Sequence, residues 1–267
     1  MISIESKENT FFKLAKKLKE RKGRNKEQKY IIEGFRLIHE AFKAGCKIDS
    51  LVVNVDGEKK INQYLEEYID GVKVYLMEDT LFNQLTSTEN PQGIIAIVSM
   101  EDKRENLSGE FYLLCDKVQD PGNLGTIIRT AHAAGVTGII LTKGTVDIYN
   151  DKVIRSTMGS IFYTPIIHDN DLSFLRGLKE DGFSLVATSL KESKDFFMED
   201  LSGNIILSVG NEGNGISDEI FEMANKKVKI PMPGGAESLN VAVDASSSSV
   251  VACCLLHWLA LPYTAWR

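Results

Sequence analysis

At 267 residues, 43% of them hydrophobic, the chain can bury one large core or two modest ones, and two domains are expected. A net charge of −6 and an isoelectric point near 5.4 exclude a globally basic nucleic-acid binder, so any such affinity must come from a local patch. Cys46, Cys115, Cys253 and Cys254 form no CxxC pair and no zinc-finger spacing, so they read as reduced thiols of a cytoplasmic protein without a metal. Charges interrupt every apolar stretch near the N-terminus, unlike a signal peptide. The apolar run 250–261 contains His257 and stops at Pro262, too short for a bilayer and suited to a buried helix.

The first segment, residues 7–29, holds the local patch. Lys7, Lys13, Lys16, Lys17, Lys19, Arg21, Lys22, Arg24, Lys26 and Lys29 stand against Glu8, Glu20 and Glu27. Phe11, Phe12, Leu14, Ala15 and Leu18 add a partly helical apolar stripe. The segment reads either as a solvated helix face or as a basic arm that meets phosphates. Next comes a helix over 34–44, ended by Gly45, and a strand over 51–55. Ile61, Tyr64, Leu65, Tyr68 and Ile69 recur at helical spacing. A strand at 72–76, a short helix at 78–85 and a strand at 93–98 complete a small α/β domain, residues 1–100.

The polar stretch 101–110 reads as a linker. Beyond it, residues 111–267 alternate again, with strands expected at 111–115, 138–141, 164–167, 185–188, 205–209 and 228–231. Helices fall at 124–134, 172–179 and 218–225. Short apolar strands between helices imply a mostly parallel sheet covered on both faces, with ligands bound at the carboxyl ends of strands.

Three loops at such ends stand out. Residues 116–129 follow a strand and open a helix, with Pro121 and Gly122 in the turn, Asn123 suited to cap the helix, and Arg129 further along it. They carry neither GxGxxG nor GxxxxGK[ST], which sets aside a dinucleotide-dependent enzyme. Residues 208–216 place Glu212 inside a glycine-rich turn whose backbone can approach a ligand closely. Residues 230–243 run from Ile230 through a proline- and glycine-rich loop to Ser238, Leu239 and Asn240, where a helix should start. Ser238 there could act as a cap, as part of an anion seat, or as both.

In this order and at these distances, the three loops resemble the signature motifs of the SpoU (TrmH-like) family of RNA 2′-O-methyltransferases, within the SPOUT superfamily. The resemblance covers about residues 111–260. The stretch 30–41 resembles the family's substrate-binding domain, itself similar to a ribosomal protein, and 152–162 resembles a further family stretch. The resemblance implies a trefoil-knotted C-terminal α/β domain, a homodimer formed through it, and S-adenosylmethionine as cofactor. By position, Gly210, Ile230 and Leu239 would hold the cofactor, with Thr188 as a further candidate. Arg129 would serve as the base, acting with an RNA phosphate or orienting the ribose. Asn123, Glu212, Ser238 and Asn240 would fix the arginine, the ribose and the loops. Lys13, Lys16, Lys17, Arg21, Lys22, Arg24 and Arg36 are the expected RNA contacts.

The separate N-terminal domain favours ribosomal RNA, because such domains recognise folded RNA by shape and backbone. The rival readings are a tRNA ribose methyltransferase of the same family and a non-catalytic RNA-binding protein with the same fold. Asp244, the serine run 246–249 and the ending 257–267 depart from the family pattern.

Overall fold

A computed structural model describes residues 1–101, 107, 109–189, 193–231, 241, 242 and 245. Its contacts divide into two units. The first is Met1–Asp102 together with Tyr149–Phe162; the second holds the remaining described residues. Among the described residues, no helix is long and apolar enough to cross a membrane.

The first unit is a five-stranded mixed sheet built from β1 (Ile2–Ile4), β2 (Lys29–Glu33), β3 (Ile48–Val53), β4 (Lys73–Met77) and β5 (Ile94–Ser99), in the order β1-β4-β3-β5-β2. β1, β4 and β3 run parallel, while β5 runs antiparallel to both β3 and β2. Residues 10–27 are not an arm set apart from this unit. They form helices α1 (Thr10–Lys17) and α2 (Arg21–Glu27). Asn9 caps α1, its side chain accepting from the Phe11 and Phe12 amides. Phe12, Ala15 and Leu18 then pack on Ile4, Val52, Met77, Leu85 and Ile97. Helical spacing of apolar residues outweighs the surrounding lysines: Lys13, Lys16 and Lys17 are exposed, and Lys19 Nζ donates to the Thr86 carbonyl at 2.6 Å. The two helices meet closely at Gly23, where a Cβ would lie 2.0 Å from the Lys17 carbonyl oxygen. Helices α3 (Phe35–Lys43), α4 (Val55–Leu65), α5 (Asp79–Phe82) and α7 (Asp151–Thr157) complete the unit. Helix α4 begins six residues before the expected periodic run because Asn54 caps it, accepting from the Gly57 amide at 2.9 Å.

The second unit is a seven-stranded sheet. Its strands are β6 (Phe111–Cys115), β7 (Gly138–Thr142), β8 (Ile166–Asp169), β9 (Ser184–Thr188), β10 (Lys194–Asp195), β11 (Ile205–Val209) and β12 (Lys226–Lys229). They lie in the order β10-β12-β9-β11-β6-β7-β8, each parallel to its neighbours. Every residue of β6, β7 and β11 is buried, which requires near-continuous apolar runs rather than alternation. Helices α6 (Pro121–Ala133), α8 (Ser173–Glu180) and α9 (Asp218–Met223) connect the strands. The chain steps outward from β6 to β7 and β8, then crosses back so that β11 lies on the other side of β6. The strand order therefore reverses between β6 and β11, the position where open parallel sheets form a ligand crevice at their carboxyl ends.

Candidate active site

Two of the three expected loops leave the sheet at this reversal, one after β6 and one after β11. The first opens α6, and here the cap differs from expectation. Asp120, not Asn123, is the N-cap: its carboxylate accepts from the Asn123 amide at 2.8 Å, and Pro121 occupies the first turn. Proline suits that position because its missing N–H would be unpaired there in any case. Asn123 is thereby released from capping, and its side chain turns to the second loop.

That side chain donates from Nδ2 to Glu212 Oε1 at 3.1 Å. The same carboxylate accepts from the backbone amides of Asp120 at 3.1 Å and Gln119 at 3.2 Å. Partial burial would raise the Glu212 carboxyl. The hydrogen bonds from Asn123 and from the Glu212, Asp120 and Gln119 amides outweigh it and hold the pKa below the ordinary 4.5. Glu212 is thus an ionised tether between the first and second loops.

The second loop is closed on itself. Asn211 and Gly215 exchange backbone hydrogen bonds at 2.8 and 2.9 Å, and the Asn211 side-chain oxygen accepts from the Gly213 and Asn214 amides. Asn211 Nδ2 adds a further link across the loops, to the Lys117 carbonyl at 3.0 Å. Gly210 is buried beneath this turn. A Cβ there would fall 2.1 Å from the Gly215 carbonyl carbon, so no side chain fits.

The other expected residues fall as follows. Arg129 is exposed on α6 and has no hydrogen-bond or ion-pair partner among the described residues. It lies about 9 Å along the helix from Asn123 and about 120° around it, so the structure does not bring it to the Asn123–Glu212 pair. Thr188, at the end of β9, is half-buried and donates its hydroxyl to the Ser208 carbonyl at 3.0 Å. Ile230 is half-buried just past β12. Ser238, Leu239 and Asn240 lie outside the described residues, as do Asp244 and the ending 257–267.

In the first unit, Lys13, Lys16, Lys17, Arg21, Lys22 and Arg36 are exposed, and Lys13 pairs with Glu8. Arg24 requires a correction. It is 7% exposed, and its Nη1 donates to the Leu18 and Lys19 carbonyls at 2.9 and 2.8 Å. Those carbonyls end α1 without helical partners, so Arg24 closes the helix rather than facing a phosphate.

A seven-stranded parallel sheet with helical connections and two interlocked loops at its reversal defines an α/β domain of the open parallel-sheet class. The SpoU rRNA Methylase family model matches residues 110–248, and an MRM3-like substrate binding domain model matches residues 9–96. The chain belongs to the SpoU rRNA methylase family. It is 38% identical over 246 residues to a 23S rRNA (guanosine(2553)-2′-O)-methyltransferase of Bacillus subtilis, covering 92% of this chain and 97% of that one. Among solved structures, an AdoMet-bound rRNA methyltransferase from Sinorhizobium meliloti is 32% identical with a TM-score of 0.83, over 97% of this chain and 98% of that one. A SpoU methyltransferase from Streptomyces viridochromogenes, in complex with AdoMet, is 28% identical with a TM-score of 0.81, over 92% and 97% respectively.

Proposed function

We propose that this chain transfers the methyl group of S-adenosylmethionine to a ribose 2′-hydroxyl of ribosomal RNA. The observation that carries the reading is the Glu212 tether, which joins the first two family motifs at the reversal of the sheet. The likeness to a 23S rRNA methyltransferase over 92% of the chain supports the choice of RNA.

The residues present suit the cofactor. The 210–215 turn has glycine at three of its six positions, leaving backbone groups bare beside the strand ends, and the half-buried Ile230 adds an apolar surface. We assign Gly210, Thr188 and Ile230 to hold it, with Leu239 from the third loop. When bound, it supplies an electrophilic methyl on a sulfonium centre.

The chain's own task is the nucleophile. A ribose hydroxyl does not ionise at neutral pH and must lose its proton as the methyl arrives, a step that positioned proton acceptance typically speeds by about 10²–10⁴-fold. A guanidinium alone stays protonated. We therefore assign Arg129 to grip an RNA phosphate and orient the ribose, so that the arginine–phosphate pair receives the proton. Its exposure and lack of a partner among the described residues leave it available for this. Asn123 and Glu212 hold the loops in register, and Ser238 and Asn240 are assigned to the ribose and the third loop. The exposed Lys13, Lys16, Lys17, Arg21, Lys22 and Arg36 offer phosphate contacts on the first unit. The knot, the homodimer and a cytoplasmic location belong to the same reading and rest on family likeness.

The test is transfer of labelled methyl to unmodified ribosomal RNA and tRNA, with Arg129→Ala alongside. Label on a ribose of ribosomal RNA, lost in the variant, is expected. Label in tRNA alone would move the substrate to tRNA. Cofactor binding without transfer to either RNA would point to an assembling particle, and no cofactor binding would overturn the reading.

A further inference from the structure

Asp116 is a carboxylate at the carboxyl end of β6, 1% exposed, and the chemistry above does not use it. Its Oδ2 accepts from the Ser217 amide at 2.7 Å, and its Oδ1 accepts from the Thr142 hydroxyl at 2.8 Å. The Thr142 oxygen in turn accepts from the Lys117 amide at 3.0 Å. The Asp116 amide donates to the Val209 carbonyl at 2.8 Å. One residue thus joins the ends of β6, β7 and β11 to the start of α9. A buried carboxylate is costly wherever packing alone is needed, and it is tolerated where its hydrogen bonds fix something.

What it fixes is the far end of the second loop. That loop leaves the sheet at Gly210, closes through Asn211 and Gly215, and comes down at Ser217 on the Asp116 oxygen. Glu212 holds its tip to the first loop. Two carboxylates therefore hold the turn, Glu212 at its tip and Asp116 at its base, where the carboxylate is buried. We propose that Asp116 is a positioning residue for the cofactor, acting through Ser217 to hold the 210–217 backbone in its binding shape. This rests on the methyltransferase reading of Gly210. A slack loop weakens cofactor binding before it weakens chemistry, so the signature is in affinity rather than in turnover.

Two variants of the full chain test it by calorimetric titration with S-adenosylmethionine and by steady-state methyl transfer. Asp116→Asn keeps the volume and removes the charge. Ser217→Pro leaves Asp116 in place and deletes the N–H it accepts, at a backbone φ of −65° that proline itself prefers. Each should raise the cofactor Kd and KM about tenfold or more, while kcat at saturating cofactor stays within roughly threefold of the parent. If Asp116→Asn does not fold, Ser217→Pro decides alone. Folded variants that bind as tightly as the parent would overturn the inference, as would a loss confined to kcat. Failure of the unmodified protein to bind the cofactor would instead sink the methyltransferase reading, and this inference with it.

Discussion

The α1–α2 pair of the first unit and helix α6 of the second each carry an arginine that the sequence marks as functional, and the two meet opposite fates. Arg24 follows the close approach at Gly23 and turns back onto the last carbonyls of α1, where it is buried. Arg129 lies on a longer helix whose last carbonyls already accept from the Ala134, Gly135 and Val136 amides, and it stays exposed. Unpaired carbonyls at a helix C-terminus within reach recruit a guanidinium. A helix capped by other means leaves its arginine for a ligand. The difference lies in the neighbouring backbone and not in the residue type.

Exchanging the losses breaks the comparison if it is wrong. Arg129→Ala should lower methyl transfer at least about 10²-fold with an unchanged melting temperature, as expected for an exposed group that positions the ribose for loss of its proton. Arg24→Ala should do the reverse. It removes two charge-assisted bonds from a buried site, so a loss of about 2–3 kcal/mol is expected in urea unfolding, with RNA affinity per folded molecule little changed. An Arg24→Ala variant of full stability and weakened RNA binding would return Arg24 to the phosphate-binding set.

Glu212 sharpens the contrast through pH. Its folded pKa is depressed, so the tether is present above the ordinary carboxylate value of 4.5 and is lost as pH falls through the lowered folded value. The Gln119 and Asp120 backbone amide signals and the Asn123 side-chain amide signal should therefore move together in an NMR titration, and only on the acid side of 4.5. Movement at higher pH would show that the hydrogen bonds do not hold the carboxylate. The smallest effect is expected on the basic face. Lys16→Ala with Lys17→Ala should leave stability unaltered and flatten the log–log salt dependence of RNA binding by about 0.7–0.9 for each phosphate no longer neutralised. An unchanged slope would place the RNA elsewhere.

Much of the second unit was legible because buried parallel strands must be continuously apolar. Strands β6, β7, β9 and β11 fall within a residue of expectation at each end. In the first unit, β2 escaped because Lys29–Glu33 begins and ends in charge, and β1 because it spans only three residues. The α6 cap was misplaced by favouring Asn123 over the Asp-Pro pair before it, although proline at the first helical position is a readable start signal. Asp116, Asn211 and Ser217 were missed as site residues, since their roles arise from partners about a hundred positions apart. An acid placed directly after five buried strand residues was the available hint for Asp116. Periodicity also gave no sign that Tyr149–Phe162, lying between β7 and β8 in sequence, belongs to the first unit.

That last segment bears on how the protein could be divided. Helix α7 packs beside β2, which otherwise pairs only with β5, and the Tyr149 ring meets Tyr30 at 4.5 Å. Arg155 donates to the Ser87 hydroxyl at 3.0 Å from the same helix. A gene fragment stopped after residue 102 would lack this piece, leaving Tyr30 uncovered and the β2 margin open to pairing with another molecule. Residues 149–162 thus pack with the first unit although they lie within the stretch that the SpoU family model matches. A fusion or swap that grafts a new RNA reader onto this enzyme would have to bring its own version of residues 149–162, spliced into the middle of the domain it is meant to serve.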